Sequence, residues 1–115
     1  MIARVWHGAT EPSKADAYGS FLISRAIPDY RSTPGNRAVF VLRREEAGRC
    51  HFITLTLWDS WEAIRAFAGD DVEKAKYYPE DRSFLLEMEP GVVHHEVIGA
   101  ELDAGLAAAP SPRRG

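Results

Sequence analysis

One cysteine, Cys50, is all the chain offers among 115 residues. A lone thiol closes no intramolecular disulfide and lacks a set of metal-ligand companions at short spacing, so a reducing, cytoplasmic setting is expected. Cys50 itself reads as a small buried hydrophobe. Basic residues are also in short supply: 14 Lys and Arg against 17 Asp and Glu leave a net charge of -3. Displacing condensed counterions from nucleic acid needs clustered cations, and here Arg43 and Arg44 run straight into Glu45 and Glu46, so no nucleic-acid partner is expected. No apolar run approaches the roughly 20 residues that cross a bilayer, and the start lacks the charged-then-apolar build of a signal peptide. Glycine-rich phosphate loops, a Ser-His-Asp order and internal repeats are missing as well.

What is present is alternation. Residues 2–8 alternate, with Ala3 and Val5 set against Arg4 and Trp6, and stop at Gly8, which reads as a first strand. Pro12 and the Ser13/Asp16 pair suit a helix entry, and Tyr18, Phe21, Leu22 and Ala26 then recur at helical spacing, predicting a helix over 14–27 that Pro28 ends. Residues 28–36 are loop by composition. Val39, Val41 and Arg43 alternate with Phe40 and Leu42 in a second strand, and Gly48 marks the turn into a third, so a hairpin is expected.

The stretch from Cys50 to Gly69 is the most telling. Alternation through Trp58 gives way at Asp59 and Ser60 to a helical repeat, with Asp59 as the expected cap, Glu62 at the third position, and Trp61, Ile64, Phe67 and Ala68 as the inner stripe. Residues 70–89 lack a clear period. A partly helical piece at 72–77, a break at Pro79 and an apolar patch at 84–86 suggest a lid-like segment with one or two helical turns. Residues 92–98 alternate again as the last strand.

Strand, helix, strand, strand, helix, strand is the split βαβ order, an α+β ferredoxin-like βαββαβ fold with a four-stranded antiparallel sheet and both helices on one face. If Ala3, Val5, Val39, Val41, Ile53, Leu55 and Leu57 lie under the helices, then Trp6, Phe40, Leu42, Phe52 and Trp58 are left on a bare face. So much exposed apolar surface calls for a homodimer through the open sheet face. Residues 1–100 form the expected domain, and 101–115, which end in Pro, Ser, Arg and Gly, an expected flexible tail in which Arg113 and Arg114 carry no assigned role.

The segments MIARVWHG, PDYRSTPGNRAVFVLRR, FITLTLWDSWEAIRAFAG with DDVEKAKYYPEDRSFL, and VVHHEV resemble the antibiotic biosynthesis monooxygenase domain family of the dimeric α+β barrel superfamily. The resemblance spans residues 1–100. It implies a dimeric barrel with a pocket in each subunit between helices and sheet, separate from the dimer seam. The activity it implies is that of a small oxygenase without metal or flavin, acting on an aromatic or quinol-like substrate. A non-catalytic dimeric ligand-binding or accessory protein is the alternative. Haem degradation, the other activity of the family, is the weaker implication, because the positions of its Asn, Trp and His here hold Val5, Phe67 and Tyr77.

Two histidines are candidates for the base that deprotonates such a substrate: His7, at the end of the first strand, and His95. His94 and His95 are neighbours on one strand and point to opposite faces, so they do not share a metal. If Val93 and Val97 lie under the helices, His95 joins the pocket and His94 faces the seam; the reverse parity exchanges them, and His94 is kept as a substrate contact. Tyr77 or Tyr78 is the candidate hydrogen-bond donor, and Trp61 and Phe67 are the candidate walls. Asp70, Asp71, Glu80 and Asp81 read as solvated loop carboxylates, and neither a metal nor a cofactor is expected.

Overall fold

The computed structural model describes residues 1–106; residues 107–115, which include Arg113 and Arg114 of the expected tail, lie outside the described residues. Four strands, β1 (Ile2–Thr10), β2 (Asn36–Glu46), β3 (Arg49–Trp58) and β4 (Val93–Glu96), form one antiparallel sheet in the order β2-β3-β1-β4. β2 and β3 meet through Ala47 and Gly48, both at positive φ (54° and 74°). A two-residue loop with that sign at both positions is the primed turn whose twist matches a hairpin.

The first helical rod is longer than its sequence suggests. It runs as α1 (Ala15–Phe21), a π-helical stretch Leu22–Ala26, and α2 (Ile27–Ser32). Pro28 therefore sits inside the rod rather than ending it. A proline lacks the N–H for the bond four residues back, and its ring presses on that carbonyl. Widening the preceding turn, where the Ile27 N–H reaches the Leu22 carbonyl, relieves this crowding. Tyr18, Leu22, Ala26 and Tyr30 form its buried stripe.

At the other end of the sheet α3 (Trp61–Ala68) is capped by Ser60, whose hydroxyl accepts from the Ala63 N–H at 3.2 Å. The expected cap, Asp59, is displaced by one residue and lies beside Arg37 instead. Ser13 and Asp16 make no cap either, and Asp16 pairs with Arg43 at 2.8 Å. Gly35, at φ 92°, lets β2 start tight against α3: a Cβ there would fall 2.5 Å from that of Ala63.

Residues 72–77 form no helix. The segment after α3 is held by a bridge between Lys74 and Gly91, and its helical turn is a 3₁₀ helix at Pro79–Ser83, which Pro79 opens rather than breaks. A second bridge joins Thr10 to Leu85.

The sheet corrects the expected parity of β1 and β3. Trp6, Phe52 and Trp58 are buried under the helices with Tyr18, Tyr30, Ile64 and Phe67, and so is Cys50. Val39 and Val41 pack there too, as expected. Ala3, Val5, Ile53, Leu55 and Leu57 face the other way. Both sets in β1 and β3 are apolar, so alternation alone does not rank them; the largest rings go where two helices can cover them. The registers then lay the open face out in rows: Ala3, Leu57, Ala38 and His95; Val5, Leu55, Phe40 and Val93; His7, Ile53 and Leu42; Ala9, His51 and Arg44. Leu42 and Val93 on this face are 46% and 56% exposed.

Candidate functional site

The same registers place the histidines. His7 lies on the open face opposite Ile53, with His51 as its diagonal neighbour two residues along β3. His95 shares the open face but stands two rows from His7, next to Ala3 and exposed. His94 points under the helices. The arrangement with His95 in a pocket beneath the helices is thus corrected, because β4 pairs with β1 so that Val93 shares a face with Val5.

At the hairpin end of the open face three side chains are strung in a line. Glu89 Oε2 lies 2.6 Å from His7 Nδ1, and His7 Nε2 lies 2.9 Å from His51 Nδ1, with the two rings stacked at a 5.2 Å centroid distance. A carboxylate only accepts, so His7 Nδ1 carries the proton on that side. The His51 imidazole is held below its ordinary pKa by desolvation and by the Arg44 guanidinium beside it. Neutral at physiological pH, it is ready to accept a proton. Neither Glu89 nor His51 stands out in the sequence: Glu89 falls in a segment without periodicity, 82 residues from its partner. The only signal for His51 is the hairpin register, which sets it diagonal to His7. Among the described residues no three His, Cys, Asp or Glu side chains converge as metal ligands.

The remaining candidates are distributed over three places. Tyr77 packs edge-on against Trp6, and its hydroxyl donates to the Glu89 carbonyl. Burial pushes its phenol up. Tyr78 donates to Asp29, which also takes a 2.9 Å bond from Lys76. Phe67 stacks on Tyr30 at 4.5 Å in the interior. Trp61 is 42% exposed rather than part of the inner stripe, and its ring meets His94 edge-on at 4.9 Å. The structure thus brings His7 and, through the Glu89 backbone, Tyr77 together, gathers Trp61, His94 and His95 around a separate concavity of about 710 Å³, and leaves Phe67 in the interior and Tyr78 against Asp29.

His94 belongs to a second arrangement around a buried cation. Arg4 is 3% exposed and has no carboxylate partner among the described residues. Its guanidinium donates to the carbonyls of Val72 (2.6 Å) and Lys74 (3.0 Å) and to His94 Nε2 (3.0 Å). Since arginine only donates, His94 is held as the neutral Nδ1–H tautomer, and burial with the Arg4 charge lowers its pKa.

The space between helices and sheet, where the resemblance implies a pocket, is occupied by the rings of Tyr18, Tyr30, Phe52, Trp58 and Phe67. A concavity lies instead on the segment after α3. It is an open groove of about 1100 Å³ whose apolar wall includes Leu85, Leu86, Met88 and the ring of Tyr77.

No family model matches the sequence. A curated protein named tetraacyldisaccharide 4'-kinase, from Anaeromyxobacter sp. (strain K), is 31% identical over 91 residues, which cover 79% of this chain. The match spans only 22% of that protein's length. Among solved structures, a Nitrosomonas europaea protein of unknown function superposes with a TM-score of 0.64 at 20% identity, over 90% of this chain and 95% of its own. A point mutant of MhuD, crystallised with two manganese protoporphyrin IX molecules per active site, gives 0.58 at 16% identity, over 90% and 100%. At these identities the likeness is one of fold: a four-stranded antiparallel sheet with helices on one face, the ferredoxin-like α+β architecture of MhuD.

Proposed function

We propose that the protein is a small homodimeric oxygenase that works without metal or flavin, with basicity supplied by His7 against Glu89. The carrying observation is the 2.6 Å contact of Glu89 with His7 Nδ1. A carboxylate so placed fixes the ring's orientation and stabilises the imidazolium that forms when a proton is taken. A flat aromatic or quinol-like ring can lie on Ile53 and Leu42, in the same row of the sheet as His7. Loss of a proton from an acidic C–H of such a ring leaves a carbanion. Its electrons reduce dioxygen as a C–O bond forms, the resulting peroxide takes up a proton, and expulsion of water leaves a carbonyl. One oxygen atom ends in the product and the other in water.

The open face supports the dimer. Val5, Phe40, Leu55 and Leu57 form apolar rows with no helix among the described residues over them, and a second copy of the same face is a self-complementary cover. Such pairing covers the middle rows and leaves the Glu89, His7 and His51 line toward one end of the seam.

A porphyrin reading, suggested by the MhuD neighbour, gains no support at the three positions that the haem-degrading branch uses. Val5 is on the open face, Phe67 is stacked on Tyr30, and the Tyr77 hydroxyl is engaged with a backbone carbonyl. A second reading, a non-catalytic ligand-binding or accessory unit, is supported by the similar 91-residue stretch that forms 22% of a much longer protein. The open groove beside Leu85 and Met88 would then be its binding surface. Kinase activity is not carried over, because the matched stretch is only 22% of that protein's length.

Oxygen uptake with a synthetic anthrone separates these readings. The oxygenase reading expects turnover that falls about 100-fold or more in His7→Gln, the scale of a lost general base. Anthrone binding without oxygen uptake by the native protein would sink it in favour of the accessory reading.

A further inference from the structure

Both ring nitrogens of His7 are engaged by the protein: Nδ1 faces Glu89 at 2.6 Å and Nε2 faces His51 Nδ1 at 2.9 Å. With Nδ1–H donated to the carboxylate, an uncharged His7 has only a lone pair at Nε2 and must accept there from His51 Nδ1–H. His51 is thereby fixed as its Nδ1–H tautomer, and its Nε2 keeps a lone pair. That nitrogen has no hydrogen bond to any described residue and is not sealed from solvent.

We infer that His51 Nε2, and neither nitrogen of His7, is the atom that takes the substrate proton, and that the positive charge comes to rest on His7 against Glu89. The inference rests on the proton-abstraction reading above and names its contact atom. The transfer balances in two moves. The substrate proton goes to His51 Nε2, and the proton already on His51 Nδ1 crosses to His7 Nε2. His51 ends as the neutral Nε2–H tautomer, His7 becomes an imidazolium between its two partners, and the net charge of the three groups goes from -1 to 0.

Local electrostatics favour that resting place. His51 faces Arg44 and Arg49 as well as His7, and cationic neighbours oppose a charge on its ring, whereas His7 has the carboxylate at contact distance. Two cationic rings joined at 2.9 Å repel strongly, so only one of the two carries the charge in the relay. On this reading His51 is the catalytic residue, and His7 and Glu89 are positioning residues.

Nitrogen NMR of the imidazoles in the full chain tests this without any substrate. The expected result at neutral pH is the Nδ1–H tautomer at both His7 and His51, with the first added proton appearing on His7. An Nε2–H tautomer at His51, or a first protonation there, overturns the inference. With a synthetic anthrone, His51→Ala is expected to lose about 100-fold in kcat and to be rescued by free imidazole, whereas Glu89→Gln shifts the pH profile. Native kcat in His51→Ala together with a crippled His7→Gln would sink the relay and leave His7 as the base. No oxygen uptake by the native protein would sink the oxygenase reading, and the tautomers would still decide the relay.

Discussion

Tyr18 donates its hydroxyl proton to Asp81 Oδ1 at 2.8 Å, and both side chains are shut away from water. The other oxygen of Asp81 accepts from the Tyr78 N–H at 2.6 Å. This carboxylate, 63 residues from its donor, pins the segment after α3 to the first helical rod. Burial raises the pKa of Asp81 despite those bonds, so its contribution favours acid: stability is fully present below the unfolded carboxylate pKa and is lost as pH rises through the folded one.

Tyr18→Phe leaves that buried oxygen without its donor. The expected cost is about 1–3 kcal/mol at neutral pH, seen as a lowered midpoint in urea. The deficit should shrink as pH falls into the carboxylate range, because a protonated Asp81 no longer needs the donor. A pH-independent deficit would mean that packing, not the hydrogen bond, was lost.

Arg4→Leu removes the donor shared by Val72, Lys74 and His94. Two carbonyls lose their partner, so a loss of about 1–3 kcal/mol is expected, with hydrogen exchange at the neighbouring Ala75 and Val92 amides rising well before the sheet amides. Uniform exchange across the molecule would argue against a local tether.

His94 and His51 both have depressed pKa values. For a base lowered in the folded state, stability is complete above the unfolded pKa, about 6.5, and is lost as pH falls through the folded value, because the unfolded chain then binds more protons. Tm should therefore drop below about pH 6.5. The drop should be shallower in His94→Leu, whatever that variant's absolute Tm, and an unchanged slope would remove His94 from the account.

Leu55→Asp places a carboxylate at the centre of the open face, between Val5 and Phe40. In the proposed dimer it should give a folded monomer in sedimentation while the native chain sediments as a pair. A native monomer at micromolar concentration would refute the sheet-to-sheet seam.

Ser60→Ala should cost about 1 kcal/mol through loss of the helix cap, and Asp59→Ala much less. Equal losses would contradict the observed cap, in which the Ser60 hydroxyl accepts from the Ala63 N–H.

These contrasts locate what the chain's residues disclose by themselves. The element order and the two helical stripes were legible, because periods of 2 and 3.6 are directly visible in residues such as Tyr18, Leu22, Ile64 and Phe67. Which face of β1 is buried was not, since Val5 and Trp6 are both apolar and only the covering rings decide between them. Arg4 shares the buried face, and a guanidinium is accepted there because the distant Val72 and Lys74 carbonyls receive it. Pro28 reads as a helix end for a similar reason: the π-helical turn that tolerates it has no residue signature. Of the acid–base line, His7 was visible as a candidate, but Glu89 and His51 join it through tertiary placement and strand register.

The reach of Arg4 bears on how the chain is made. Its acceptors at Val72 and Lys74 are 68 and 70 residues downstream, and the carboxylate that meets His7 is 82 residues away. During synthesis the central strand of the sheet leaves the ribosome with a charge it has nowhere to bury. It must wait for most of the chain before docking becomes favourable, so assembly should be late and concerted, a single closing event after translation has passed Glu89.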